Sequence, residues 1–354
     1  RLGQEGVDND GDGRTNEDGP GGDDLNRNWP GDWKPNYVQY GAGTYPFSNP
    51  ETRAIGQWVY DHPNIAAFQS YHNSGGMILR GPGASYLASR YPARDRRVYD
   101  EIGRIGEQLL PYYNYLVINE DLYDVHGGEA TWAAESLGII SFTNELWTAG
   151  KYFQRDQERP TDEQMWLFRD RLQFGQAYKE LTEYDHPEHG KVLIGGLNKY
   201  AARNTPTFML EEECHRNFAF TMYHADQMPV LSFPRVEVTH EGGRLWSVTV
   251  EVRNEKLIPT RTAIARDRGI GAHDLLTLEG ARVVTSGTLS NWRDTAIGEV
   301  RHEPERVQFP GGVAGQSSLV HRFYVEGDRG DEVVIRYVAD KAADIETRVT
   351  LETD

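Results

Sequence analysis

Ile65-Ala66-Ala67-Phe68, running straight into Gln69-Ser70-Tyr71-His72-Asn73-Ser74-Gly75-Gly76, is the stretch on which the fold turns. It is short, apolar and bounded by turn residues, which is the pattern of a buried strand. A second such run, Gly138-Ile139-Ile140-Ser141-Phe142-Thr143, leads into Asn144-Glu145-Leu146. Helical patterns flank both. Ser48 and Glu51 stand at capping-box spacing with Pro50 in the first turn, and Ala54, Ile55, Trp58 and Val59 then offer one apolar face. Val98, Ile102, Ile105 and Leu109 repeat at helical spacing, and Glu129 to Leu137 reads as a shorter helix. Thr161-Asp162-Glu163-Gln164 caps another, with Met165, Phe168 and Leu172 inward. Strands alternating with helices predict an α/β domain, a doubly wound, mostly parallel (mixed) sheet with helices on both faces.

Near Pro229 the pattern changes. Cys214 to Ala225 still reads as an amphipathic helix. After it, Val236 and Val238 alternate with polar residues, Glu241-Gly242-Gly243 turns, and Val248, Val250 and Val252 resume the alternation, which predicts a β-hairpin. Similar short segments recur at 275–278, 323–325, 333–338 and 348–351. Residues 1–228 are therefore expected to form the α/β domain and residues 229–354 an all-β sandwich.

The chain of 354 residues carries 54 acidic against 37 basic side chains, a formal net charge of −17. That balance argues against nucleic acid and anionic membranes as partners. One cysteine, Cys214, allows no internal disulfide. No apolar run approaches the roughly 18 residues that cross a bilayer, so no membrane insertion is expected.

Three groups of residues carry chemistry. In Asp23-Asp24-Leu25-Asn26-Arg27-Asn28-Trp29-Pro30, the planar fork of Arg27 fits a carboxylate, with the amides of Asn26 and Asn28 beside it and Asp24 able to hold a neighbour. The same residues also suit an ordinary surface turn. His72 and Glu145 each follow a buried strand, and ligands of open α/β sheets bind beyond the carboxyl ends of strands. His72 can ligate zinc or bond a loop. Glu145 can act as a base, its acidity weakened by a partly dry setting, or pair with an arginine. Asp8, Asp10 and Asp12, with Gly11 and Gly13 interleaved, have the spacing of oxygen ligands around calcium, or form a solvated acidic loop.

Taken together, Asp24-Leu25-Asn26-Arg27-Asn28, then Pro46-Phe47-Ser48-Asn49-Pro50-Glu51, then His72 with Ser74, then Thr143-Asn144-Glu145-Leu146 resemble, in order, the zinc carboxypeptidases of the carboxypeptidase A type. Tyr123, 22 residues before Glu145 with Gly127-Gly128 and Trp132 between, matches that family's substrate-capping loop. The trailing β-domain resembles bacterial members with a C-terminal module. The resemblance implies His72 as a zinc ligand and Arg27 with Asn26 gripping the substrate's terminal carboxylate. It further implies Tyr123 closing over that terminus, Glu145 as general base, and Asp24 orienting a zinc-binding histidine. It implies a secreted or periplasmic enzyme acting on peptides with a free C-terminus. Ala130, small and neutral at the specificity position, points to an apolar or broad preference; Arg80 could instead favour an acidic terminal residue.

One departure outweighs the rest. The family's first two zinc ligands come from a His-x-x-Glu upstream of the Asn-Arg pair, and here only the acidic loop precedes it. The one His-x-x-Glu, His126 to Glu129, falls in the tyrosine loop and reads as loop structure. The chain is therefore expected to be an N-terminally shortened piece of a longer enzyme, inactive as it stands because its zinc ligand set is incomplete. Two alternatives share these residues: a cell-wall peptidase cleaving γ-D-glutamyl–diamino acid bonds of peptidoglycan peptides, and a catalytically dead binder of peptide C-termini.

Overall fold

A computed structural model of the chain describes residues 23–154, 160–198, 201, 203–295 and 298–352. The calcium-type loop with Asp8, Asp10 and Asp12 lies outside the described residues. The first elements are α1 (Pro50–Tyr60), β1 (Ala67–Asn73), β2 (Met77–Arg80), α2 (Ala93–Leu109), β3 (Asn114–Val117), α3 (Glu129–Leu137) and β4 (Ile140–Leu146). The four strands form one sheet in the order β1-β4-β2-β3. β1 runs parallel to β4 and β2 to β3, while β2 and β4 are antiparallel, so the sheet is mixed.

Alternation along β4 decides what lies on each face. Phe142 packs edge-on to Tyr99 of α2 and to Phe220 of the helix α6 (Leu210–Asp226), at 5.3 and 5.9 Å between ring centroids. Ser141, pointing the other way, donates its Oγ to the Ala130 carbonyl of α3 at 2.7 Å. Helices thus cover both faces. On the α3 side, Trp132 is fully buried among Trp29, Phe47 and Tyr60. Gly138 ends α3 at φ 61°, a conformation that glycine adopts without a Cβ penalty.

Both strands run longer than their apolar cores suggested, so His72 and Glu145 lie on β1 and β4 rather than after them. Two local expectations fail near α1. Its N-cap is Asn49 without a side-chain bond, because the Ser48 hydroxyl is taken by Asn28. Its buried face is Thr52, Gly56 and Val59, and Ile55 and Trp58 are exposed, so hydrophobicity misplaced the inward side by about one residue step. The capping box at Thr161 and Gln164 does form, at the start of α5 (Asp162–Arg171), which follows the short α4 (Ala149–Phe153).

A hairpin of β5 (Tyr178–His186) and β6 (Gly190–Leu197) precedes α6. Beyond it, β7 (Leu231–Gly242) and β8 (Leu245–Asn254) pair with Val236 opposite Val250 and Val238 opposite Val248. After the short helix α7 (Ala263–Arg268) come β9 (Asp274–Glu279), β10 (Arg282–Leu289), β11 (Gly298–Val300), β12 (Arg306–Phe309), β13 (Ser317–Glu326), β14 (Glu332–Val338) and β15 (Ile345–Thr350). They make two antiparallel sheets, β11-β10-β13-β8-β7 and β12-β9-β14-β15. Their inner faces share one core in which Val248, Val250 and Phe323 meet Leu276, Ile335 and Tyr337.

The two units are clasped. Asp95 of α2 is fully buried, and its carboxylate accepts the backbone N–H groups of Ala263 and Ile264 at the start of α7, both at 2.8 Å. Lys341 donates to the Ile65 carbonyl just before β1 at 2.6 Å. Among the described residues no helix is long and apolar enough to cross a membrane.

Candidate active site

Because β1 and β4 are parallel and in register, His72 sits directly opposite Glu145. Ser70 and Thr143, two residues earlier on each strand, share a hydrogen bond of 2.9 Å. His72 and Glu145 keep the same parity and so lie on that face, the α3 face. The Asp24–Trp29 turn is held against it. Trp29 N–H donates to the Gly127 carbonyl at 3.0 Å, and a Cβ on Gly127, which has φ +68°, would collide with the Arg27 carbonyl. This close approach explains why the tyrosine loop needs glycine there.

The result is a cleft of about 250 Å³. Asn26, Arg27, Tyr123, Glu129 and Glu145 face it as polar groups, and Met77, Leu79, Ile118, Leu122 and Val125 form its apolar wall. Ala130 is also part of the wall. His72 is not a wall residue; the Glu129 carboxylate carries the contact to it, Oε1 lying 2.6 Å from the ring Nε2. That bond is the main reason the imidazole titrates above its usual range, with burial opposing it. Burial in turn raises Glu145 above the ordinary glutamate range, against the pull of His72, Arg203 and Arg27. The Glu145 side chain lines the cleft, where burial and neighbouring charges are the influences that act on it.

Each residue of the 24–28 turn has a distinct fate. Asp24 accepts the Asn26 N–H at 2.9 Å and lies 3.8 Å from Arg27 Nε, so it shapes the turn and acts on His72 only as a more distant charge. Arg27 donates through Nη1 to the Asn26 carbonyl, which leaves the rest of its fork for a ligand. Asn26 accepts the Glu129 N–H on its side-chain oxygen at 2.9 Å, leaving its NH2 to donate. Asn28 does not serve the cleft. It is fully buried, its amide donating to Ala42 O, Tyr45 O and Ser48 and accepting from Asn49 N–H and the Thr52 hydroxyl. Tyr123 is 60% exposed and lines the cleft. Arg80 is a packing residue, its guanidinium on Tyr115, Asp100 and the Gly81 carbonyl, so it does not select a terminal residue.

Two cleft residues escaped the sequence reading. Arg203, from the segment before α6, donates to the Asn73 carbonyl at 3.1 Å and reaches the cleft. Nothing in its neighbourhood marked it, since it comes from far along the chain. Glu129 opens α3, as the helix expected over 129–137 implies, but its carboxylate's role in the cleft does not show in the sequence. The His126-x-x-Glu129 pair does not act as one unit: His126 Nδ1 bonds Asp32 at 2.7 Å, while Glu129 goes to His72.

His72 offers zinc one ligand, and among the described residues it belongs to no trio of donors close enough to share an ion. Within the described residues Nδ1 of His72 has no hydrogen-bond partner while Nε2 is engaged by a carboxylate, the usual dress of a metal-binding imidazole. A family described as zinc carboxypeptidase matches residues 3–168, the part of the chain that carries this cleft and sheet. Residues 230–350 match a family described as a domain of unknown function (DUF8731). Carboxypeptidase A1 of Bos taurus is 29% identical over 164 residues, covering 41% of this chain and 37% of that protein. The Sus scrofa protein of the same name is 30% identical over 161 residues, with the same coverages. The chain thus spans little more than a third of the length of these curated relatives. A solved structure of thrombin activatable fibrinolysis inhibitor aligns at 25% identity over 41% of this chain and 37% of that one, with a TM-score of 0.29, too low to bear on the fold.

Proposed function

We propose that the full-length protein is a zinc metallopeptidase that removes C-terminal residues from peptides. The observation that supports this reading is the pairing of His72 with Glu145 across β1 and β4, on the face where Arg27, Asn26 and Tyr123 share one cleft. Arg27 and the free amide of Asn26 bind the terminal carboxylate, which only a chain end presents. Tyr123 closes over it. The terminal side chain rests on Met77, Leu79, Ile118 and Val125, which favours an apolar residue. Glu145 takes a proton from the attacking water and returns it to the leaving amine. His72 would hold the zinc, which when bound supplies the Lewis acidity that polarises the scissile carbonyl. Residues 1–228 supply the peptidase-like α/β domain and residues 229–354 form the accessory β module. A secreted or periplasmic location follows from the family resemblance.

Replacing Arg27 with Ala is expected to weaken binding of free C-termini by about 2–5 kcal/mol, the loss seen on truncating one partner of a desolvated charge pair. Calorimetry with a peptide and its C-terminal amide checks this: wild type should prefer the free acid, and equal affinities would remove Arg27 from the role. The 354-residue chain by itself is expected to hold zinc weakly and to hydrolyse nothing. Catalytic zinc takes three protein ligands. Among the described residues the one trio of donor groups close enough to share an ion is His186, Glu188 and His189, on the β5–β6 turn. Turnover of a blocked dipeptide by this chain with one equivalent of zinc would overturn that expectation.

A further inference from the structure

We propose that a cavity between the two units, lined by Arg261 and Lys341, is a binding site for a small carboxylate with an apolar body. It shares no lining residue with the cleft and does not depend on the peptidase reading. The cavity holds about 150 Å³ and lies between the end of α1, the approach to β4, the segments flanking α7 and the turn before β15. A space of that order admits a single aromatic ring. Val59, Leu137, Ile139, Ala265 and Ile270 give it apolar walls. Concave sites where two units meet, apolar with a few polar groups, are where small ligands usually bind.

Both cations spend their donors on neutral carbonyls. Arg261, only 6% exposed, donates through Nε to the Pro310 carbonyl at 2.9 Å and through Nη1 to that of Ala272. Its Nη2 is buried with no partner, which carries a desolvation cost. Lys341 donates to the carbonyls of Ile65 and Pro63, at 2.6 and 3.4 Å. The carboxylates whose charges reach this pair are engaged elsewhere. Asp340 accepts the Ala272 N–H at 3.0 Å, and Asp274 accepts the hydroxyls of Thr260 and Tyr337 at 2.5 and 2.9 Å. Burial lowers Lys341 to about 8, with Asp340 opposing the shift and Arg261 adding to it, so the ammonium is still charged at pH 7. Two buried cations in one wall are stabilised by an anion beside them. The planar fork of an arginine matches a carboxylate, and the apolar walls take the rest of the molecule.

The test is calorimetry at pH 7 on the 354-residue chain carrying Arg27→Ala, which removes the carboxylate anchor of the cleft. The probes are benzoate and benzamide, alike in shape and different in charge. Benzoate is expected to bind about tenfold more tightly, the worth of one hydrogen bond to a charged group. Lys341→Met removes a charge from the wall and should narrow that ratio. Ala272→Phe, at the exposed rim, should weaken both probes by narrowing the entrance. Equal affinities, no binding of benzoate, or a ratio unchanged in Lys341→Met would overturn the proposal. A second measurement needs no variant: methyl shifts of the unaltered chain on adding benzoate. The methyls of Val59, Ile139 and Ala265 should move, and if they stay in place the site is elsewhere and the proposal is wrong.

Discussion

Glu145→Gln is expected to lower kcat/KM of the full-length protein by about 10²–10⁴-fold, the contribution usual for a well-placed general base. The side chain keeps its shape, so the β1–β4 pairing and the cleft should survive. What is lost is the ability to accept a proton. Zinc content should be unchanged, since the carboxylate is assigned to proton transfer and not to metal binding. The same carboxylate sets the acid side of the pH profile. Burial raises it above the ordinary glutamate range, and a base works only when deprotonated. Activity should therefore fall as pH falls through a value higher than the roughly 4.3 of a free glutamate. Rates measured on wild type and variant with equal zinc loading decide the matter: a loss smaller than tenfold, or a variant that also sheds its metal, would take Glu145 out of the base's role.

The second large effect concerns stability in acid. His224, on α6, is buried against the rings of Phe142 and Phe220, and burial pushes it down to about 4. His321, on β13, lies among Phe309 and Phe323, and burial pushes it down to about 3. Both are neutral in the folded chain, and both would take a proton near 6.5 once unfolded. Below pH 6.5 the unfolded chain therefore binds more protons, and stability falls with falling pH by about 1.4 kcal/mol per unit for each histidine. The loss levels off near pH 4 for His224 and near pH 3 for His321. By pH 4.5 the two together cost about 5 kcal/mol, comparable to the whole stability of many domains. Asp95, Glu135 and Asp274 act in the opposite sense, because burial raises them and the folded chain holds their protons more tightly as pH falls. The diagnostic is therefore a difference. Denaturant midpoints from pH 7 to pH 4.5 should fall less steeply in His224→Phe than in wild type. Phenylalanine suits that site because the Nε2 of His224 is buried with no partner. Identical slopes would exclude His224 as a source of acid sensitivity.

The fold was readable from sequence where apolar runs were short and bounded. Residues 65–68 and 138–143 announced β1 and β4, and the alternation at Val236 to Val252 announced the β7–β8 hairpin. The site was partly readable, because its residues follow those strands and sit in the 23–30 turn. Register was not readable, and register is what places His72 opposite Glu145. Asn28 was misread because an asparagine next to Arg27 looks like a ligand group, whereas five hydrogen bonds to residues 42–52 spend both ends of its amide. Ile55 and Trp58 were misread because apolar character names a helix's inward face only when the tertiary partner is known. Glu129 was missed because its partner lies 57 residues away in sequence.

The Asp95 carboxylate, closed over the amides of Ala263 and Ile264, bears on how this architecture can be taken apart. A first unit expressed alone would keep a charge in a site shaped for two donors that have departed, and water would have to enter to solvate it. Any attempt to transplant the β module onto another peptidase would need to carry an acidic residue at the matching turn of the second helix. Without it, the graft would lose both carboxylate–amide bonds and rest on the Lys341 contact and the packing of Ile258 and Ile264.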